Sequence, residues 1–107
     1  MNIRFVQECI DSKDFYITYH AFLMMNEREI ERSDVLSALY TGEVIERNPK
    51  SQPYPSFLVL GWLRMGDPLH IRCSRPPIGK RLRIVTIYEP SDEKWEKDYR
   101  TRKKKGD

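Results

Sequence analysis

With 107 residues and a mass of 12.8 kDa, the chain suits one compact domain and leaves no room for two. Hydrophobic residues at 39% and charged residues at 33% describe a polar chain that can still build a core, which excludes an extended disordered segment. The net charge of +3 is uneven: residues 1–48 hold five Lys/Arg against nine Asp/Glu, and residues 49–107 hold fourteen against seven. A basic half of this kind suits a polyanion-binding surface, although many soluble domains are equally lopsided.

Residues 2–11, NIRFVQECID, place Ile3, Val6 and Ile10 at helical spacing, with Phe5 and Cys9 beside them. SKDFYIT reads as a linker. Thr18 is a good N-cap type, and a helix is expected from about Tyr19 to Glu29. A third helix is expected with Ser33 as its cap, Asp34 in its first turn and Gly42 as its stop. EVIER reads as a short strand and SQPYPS as a Pro-rich loop. FLVLGWL is apolar on both faces and reads as a central strand. LHIRCSR alternates, with Leu69, Ile71 and Cys73 on one face and His70, Arg72 and Ser74 on the other. RLRIVTIYEP is a long β-rich run, in which alternation pairs Arg81 with Arg83 and sets Thr86 and Tyr88 on the opposite face. SDEKWEKDY suits a short helix capped by Ser91, and Trp62 and Trp95 read as packing anchors. The expected fold is α+β, with N-terminal helices on one face of an approximately four-stranded antiparallel sheet. One domain covers residues 1–100, and residues 101–107 form a basic, disordered tail.

The only cysteines, Cys9 and Cys73, lie far apart and form no metal-ligand motif. They read as reduced thiols, and no apolar run is long enough for a signal peptide or a membrane span, so the chain is expected in the cytoplasm with no membrane partner. P-loop, dinucleotide-binding and zinc signatures are absent. An enzyme of this sequence is therefore expected to use no cofactor and no metal.

Two groups of residues suggest chemistry. With Thr18 as N-cap, His20 sits in the first helical turn, where the helix dipole favours the neutral imidazole that a general base needs. An ordinary capping or packing role is the simpler explanation of that position. Between Arg64 and Arg83 there are six Lys/Arg and one acid, Asp67. A sheet carrying Arg72, Arg81 and Arg83 with His70, Thr86 and Tyr88 can hold a phosphate backbone and stack a base. A solvated sheet face would carry similar charges.

YHAFLMMNEREIERSDVLSALYTGEVIE, PYPSFLVLGW, PLHI and IVTIYEPSDEKW resemble, in order and spacing, the bacterial family named domain of unknown function 4258, over about residues 18–100. The resemblance implies a fold similar to RelE- and BrnT-like toxins. It also implies the toxin half of a type II toxin–antitoxin pair, acting as an endoribonuclease on mRNA, free or on the ribosome, beside an MqsA-type antitoxin with a zinc finger. In the family pattern His20 is the helix-start histidine, Arg28 the second arginine and His70 the histidine of P-L-H. Thr86, Tyr88 and Glu89 lie in T-x-Y-E-P. The family's first arginine is replaced here by Met24.

The implied reaction is metal-independent cleavage, in which the ribose 2′-OH attacks the adjacent phosphorus and expels the 5′-oxygen. It needs a base, cations for the growing charge and an acid for the leaving oxygen. His20 is the expected base or acid, and Arg28 with Arg72 or Arg83 the phosphate clamp. Tyr88 is a proton donor or stacking platform, with His70 as the alternative acid. Arg72, Arg81, Arg83 and Thr86 are expected to bind RNA. The rival expectation, favoured by Met24, is a non-catalytic RNA- or protein-binding domain, a degenerate toxin.

Overall fold

A computed structural model describes residues 2–104 of the chain. Among them the elements run α1 (Ile3–Asp11), β1 (Phe15–Ile17), α2 (Tyr19–Glu27), α3 (Arg32–Tyr40), β2 (Glu43–Asn48), β3 (Ser56–Trp62), β4 (Pro68–Ser74) and β5 (Leu82–Tyr88). The class is α+β, and no helix of the described residues is long and apolar enough to cross a membrane.

The N-terminal segment departs from expectation in one respect. Asn2 caps α1 by accepting the Phe5 N–H at 3.2 Å, and α1 buries Val6 and Cys9. The stretch expected to be a linker then contains a strand. Phe15–Ile17 pairs parallel with β5, Phe15 opposite Leu82 and Ile17 opposite Ile84. The sheet therefore has five strands, not four, in the order β1-β5-β4-β3-β2, and its β1–β5 pairing is parallel. Three residues are too few to show a period of two, so only the partner strand reveals this one.

Thr18 joins β1 to α2 by two bonds. Its Oγ1 accepts the Ala21 N–H at 3.1 Å and donates to the Val85 carbonyl at 2.8 Å. The first bond caps the helix and the second ties its start to β5. α2 stops at Glu27, two residues before the expected end, where Glu29 takes a left-handed φ of 55° and the Ile30 N–H reaches back to Met25 at 2.9 Å. α3 begins with Glu31, not Ser33, at its N-cap.

The three helices cover one face of the sheet. Val6, Cys9, Ala21, Met25, Val35, Ala38 and Leu39 pack on Phe57, Val59, Leu69, Ile71, Cys73, Ile84 and Ile87. At roughly 25 cal/mol per Å² of apolar surface removed from water, this layer is the main source of stability. α3 lies so close to β3 that a Cβ at Gly61 would collide with the Ala38 carbonyl. Glycine there permits the helix–sheet contact.

The C-terminal segment corrects two expectations. SDEKWEKDY makes one turn, with the Trp95 N–H on the Ser91 carbonyl at 3.1 Å, and no helix. It then folds into a hairpin: Trp95 bridges Arg102, and the Glu96 N–H bonds the Thr101 carbonyl at 2.8 Å. Asp98 accepts the N–H groups of Arg100 and Thr101, both at 3.0 Å, and these bonds compete with helix formation. The expected disordered tail starts with tethered residues, since Arg102 pairs with Glu46 at 2.6 Å, as Arg100 just before it does with Glu43. Its last residues, 105–107, lie outside the described residues.

Candidate nucleic-acid interface

The face of the sheet away from the helices is built by alternation and one bulge. On β4, Leu69, Ile71 and Cys73 join the core, so His70, Arg72 and Ser74 face the other way. Directly paired residues share a face. Leu60, Leu58 and Ser56 of β3 oppose His70, Arg72 and Ser74. On β5, Tyr88 opposes His70, Thr86 opposes Arg72, and Arg83 opposes Ser74. Strict alternation set Arg83 on the side away from Thr86 and Tyr88. The register shifts between the Arg72–Thr86 and Cys73–Ile84 pairs, leaving Val85 as an extra residue, and the shift brings Arg83 onto the same face as both.

Arg72 and Arg83 are half-buried in this surface. Arg83 donates to Ser74 Oγ at 3.4 Å, and its guanidinium lies 5.8 Å from the centre of the Tyr54 ring. Among the described residues it pairs with no carboxylate. Arg72 donates to Ser56 Oγ at 3.4 Å and stands 3.8 Å from Glu46. Glu46 is held more closely by Arg102, at 2.6 and 3.1 Å, and Arg102 lies 4.6 Å over Trp95.

Beside the arginines the face closes. His70 is fully buried, with Trp95 edge-on at 4.4 Å between ring centres. Its Nε2 is 2.7 Å from the Tyr99 carbonyl, which can only accept, so Nε2 carries the proton. Nδ1 is then an acceptor, and the Tyr88 hydroxyl, 3.1 Å away, donates to it. Burial holds His70 below the usual histidine range, against the opposing pull of the Tyr99 bond. Burial also pushes the Tyr88 phenol up, partly offset by Arg72 and Arg102. Both ring nitrogens of His70 are thus engaged, Nε2 with the C-terminal hairpin and Nδ1 with Tyr88 of β5.

The other expected site residues lie apart from this surface. His20 is exposed in the first turn of α2. Ala21 and Met25 pack that helix into the helical layer, so His20 is across the sheet from Arg72 and Arg83. Arg28 caps the far end of α2, about 12 Å along the helix from His20, with Nη1 3.9 Å from the Met24 sulfur. It lines a small recess with Glu89. Arg81 precedes β5 and bonds Asp14 through its backbone and side chain, which holds the Asp14 carboxyl below its usual range. That pair fastens the start of β5 beside β1. The expected catalytic set of His20, Arg28, Tyr88 and His70 is therefore not gathered in one place. Arg72, Arg83, Thr86 and Tyr88 are.

Sequence reasoning missed Tyr54, Glu46 and Arg102. Tyr54 lies in the Pro-rich loop, where no periodicity singles it out, and the other two gain meaning only from the hairpin that returns to β2. A groove of about 930 Å³ lies elsewhere, between β1 and α2, where Tyr16, Tyr19 and Phe22 line it together with Glu29, Glu31 and Arg32. Cys9 and Cys73 are buried free thiols, and burial raises both above the usual thiol range. No three His, Cys, Asp or Glu side chains among the described residues converge to hold a metal.

The family described as Domain of unknown function (DUF4258) matches residues 17–89. The chain belongs to that family. No curated protein and no solved structure matches it. The DUF4258 span runs from the end of β1 through β5 and contains Tyr54, Arg72, Arg83 and Tyr88. The hairpin residues Trp95, Tyr99 and Arg102, which close over His70, lie beyond it.

Proposed function

We propose that this chain binds single-stranded RNA on the sheet face opposite its helices. The observation that carries the reading is Arg83: a half-buried guanidinium, anchored by Ser74 and Tyr54 and paired with no carboxylate among the described residues. A cation held in place without a counter-charge suits an anionic ligand from outside. Arg72 and Thr86 extend the surface, and Tyr54 offers a ring for a base to stack on. The chemistry available on this face favours binding over cleavage, since His20 is across the sheet and His70 has no free nitrogen.

A second reading is favoured by one observation: Tyr88 shares its face with Arg72 and lies within electrostatic reach of Arg102 and Glu46. Under it the chain is a RelE-like cytoplasmic toxin, held by an MqsA-like antitoxin, that cleaves RNA through 2′-OH attack. Arg72 and Arg83 would hold the phosphate, solvent water would take the 2′-OH proton, and Tyr88 would protonate the leaving oxygen. One experiment separates the readings. Purified protein is incubated in EDTA with a long single-stranded RNA, alongside Arg83→Gln and Tyr88→Phe, and both retention and product ends are measured. Retention that is salt-sensitive and weakened by Arg83→Gln, with no new ends, supports the binding module. New 2′,3′-cyclic phosphate ends that vanish in Tyr88→Phe support the nuclease. No retention and no cleavage overturns both.

A further inference from the structure

The row of the sheet that carries Arg83 extends to the edge strand β1. Arg83 is opposite Ser74 on β4, and Ser74 is opposite Ser56 on β3. On its other side Arg83 is opposite Tyr16 on β1. Paired residues share a face, so Tyr16 belongs to the open face, one strand spacing or roughly 5 Å from Arg83. It is 41% exposed at the rim of the groove beside α2, and among the described residues its side chain has no hydrogen bond and no ring partner. Tyr54 stands on the opposite side of Arg83. It precedes β3, which the sheet order β1-β5-β4-β3-β2 places beyond β4, and the Arg83 guanidinium lies 5.8 Å from its ring centre. We infer that Tyr16 and Tyr54 stack the two bases of one dinucleotide step whose shared phosphate Arg83 holds.

Two arginines and two serines build the phosphate position. Arg83 donates to Ser74 Oγ and Arg72 to Ser56 Oγ, both at 3.4 Å. The serines are buried and directly opposite each other, so the two guanidiniums gather over one pair of hydroxyls. Glu46 is the one carboxylate paired with Arg72 among the described residues, and Arg102 holds it more closely, at 2.6 Å. A row that reads ring, cation, ring has the order base, phosphate, base of a nucleic-acid strand. Every base has a π-face, so the two rings discriminate little among sequences. The Arg83 side chain keeps the rings apart, and the bases on them cannot stack on each other. A single strand can splay its bases in this way, whereas a duplex holds them paired and stacked. This assignment rests on the RNA-binding reading and names the unit that is recognised, an internal and splayed dinucleotide step.

The test uses the full chain and three RNA decamers with the same number of phosphates: uridine throughout, uridine alternating with abasic ribose, and abasic ribose throughout. Fluorescence anisotropy measures each affinity. Only adjacent bases fill both rings around one phosphate, so the full decamer is expected to bind about fivefold tighter than the alternating one, or more. The abasic decamer is expected to bind weakest. Tyr16→Ala is expected to remove most of the difference between full and alternating decamers, and Tyr16→Phe to keep it. Neither variant is expected to change the slope of log K against log salt, because the phosphate contacts stay in place. Tyr16→Leu, which keeps apolar bulk at the sheet's edge, serves where Tyr16→Ala fails to fold. Equal affinity for the full and alternating decamers overturns the inference and leaves the RNA reading standing, as does a difference that survives the loss of the Tyr16 ring. Binding of none of the three decamers overturns both.

Discussion

His70 and Tyr99 are joined by a 2.7 Å hydrogen bond across 29 positions of sequence, and that bond sets the protonation of the whole cluster. The Tyr99 carbonyl requires a proton on Nε2, which makes Nδ1 the acceptor for Tyr88. The imidazole is therefore most compatible with its surroundings when neutral. Its folded pKa lies below its unfolded value of about 6.5. The neutral ring's contribution is complete above that unfolded value and is lost as pH falls through the folded one.

Acidification from pH 7 toward 5 is thus expected to lower the unfolding midpoint and to loosen residues 94–103 first. His70→Phe is expected to remove most of this pH dependence. It also leaves the Tyr99 carbonyl without its donor, at a cost of about 1–3 kcal/mol. Denaturation at several pH values and amide exchange at Glu96 and Lys103, whose N–H groups close the hairpin, check both points. An unchanged pH profile in the variant would remove His70 as the source.

Arg83→Gln removes the one cation of the open face that has no acidic partner among the described residues. Affinity for single-stranded RNA is expected to drop several-fold at physiological salt, with the slope of log K against log salt falling by about 0.7. Titrations at three or more salt concentrations measure it. An equal loss at every salt concentration would point to a structural effect instead of a lost phosphate contact.

His20→Ala and Arg28→Gln are expected to leave RNA affinity unchanged within error. Both residues are exposed, and α2 holds His20 on the helical side of the sheet. A loss of affinity in His20→Ala, with unfolding unaffected, would move the binding surface to the helices.

Gly61→Ala places a methyl group against the Ala38 backbone, where α3 meets β3. A backbone carbonyl cannot swing aside as a side chain can. The variant is expected to lose about 1–3 kcal/mol of stability, by the usual cost of overpacking. Urea denaturation measures the change, and Ala38→Gly in the same chain is expected not to rescue it, because the obstacle is the carbonyl and not the Ala38 side chain alone.

Much of the candidate surface was legible in residues 69–74. The alternation Leu-His-Ile-Arg-Cys-Ser assigns each side chain to a face, and the apolar set goes to the core wherever the strand sits. Arg72 was placed correctly by that pattern. Arg83 was not placed with Thr86 and Tyr88, because one bulged residue, Val85, reverses the parity of everything beyond it. A bulge depends on how two strands pair, and no local pattern announces it.

The sequence by itself determined the three N-terminal helices, the central strands and the α+β class, since helical and strand periods and the Thr18 cap are local properties. The tertiary structure alone decided which groups are available for chemistry. β1 exists because β5 lies beside it, and residues 94–103 fold back because Glu43 and Glu46 pair with Arg100 and Arg102. His70 alternates exactly as Arg72 does, yet one is sealed beneath Trp95 and Tyr99 while the other stays partly open. Burial by a segment distant in sequence sets accessibility and protonation, and periodicity carries no record of it.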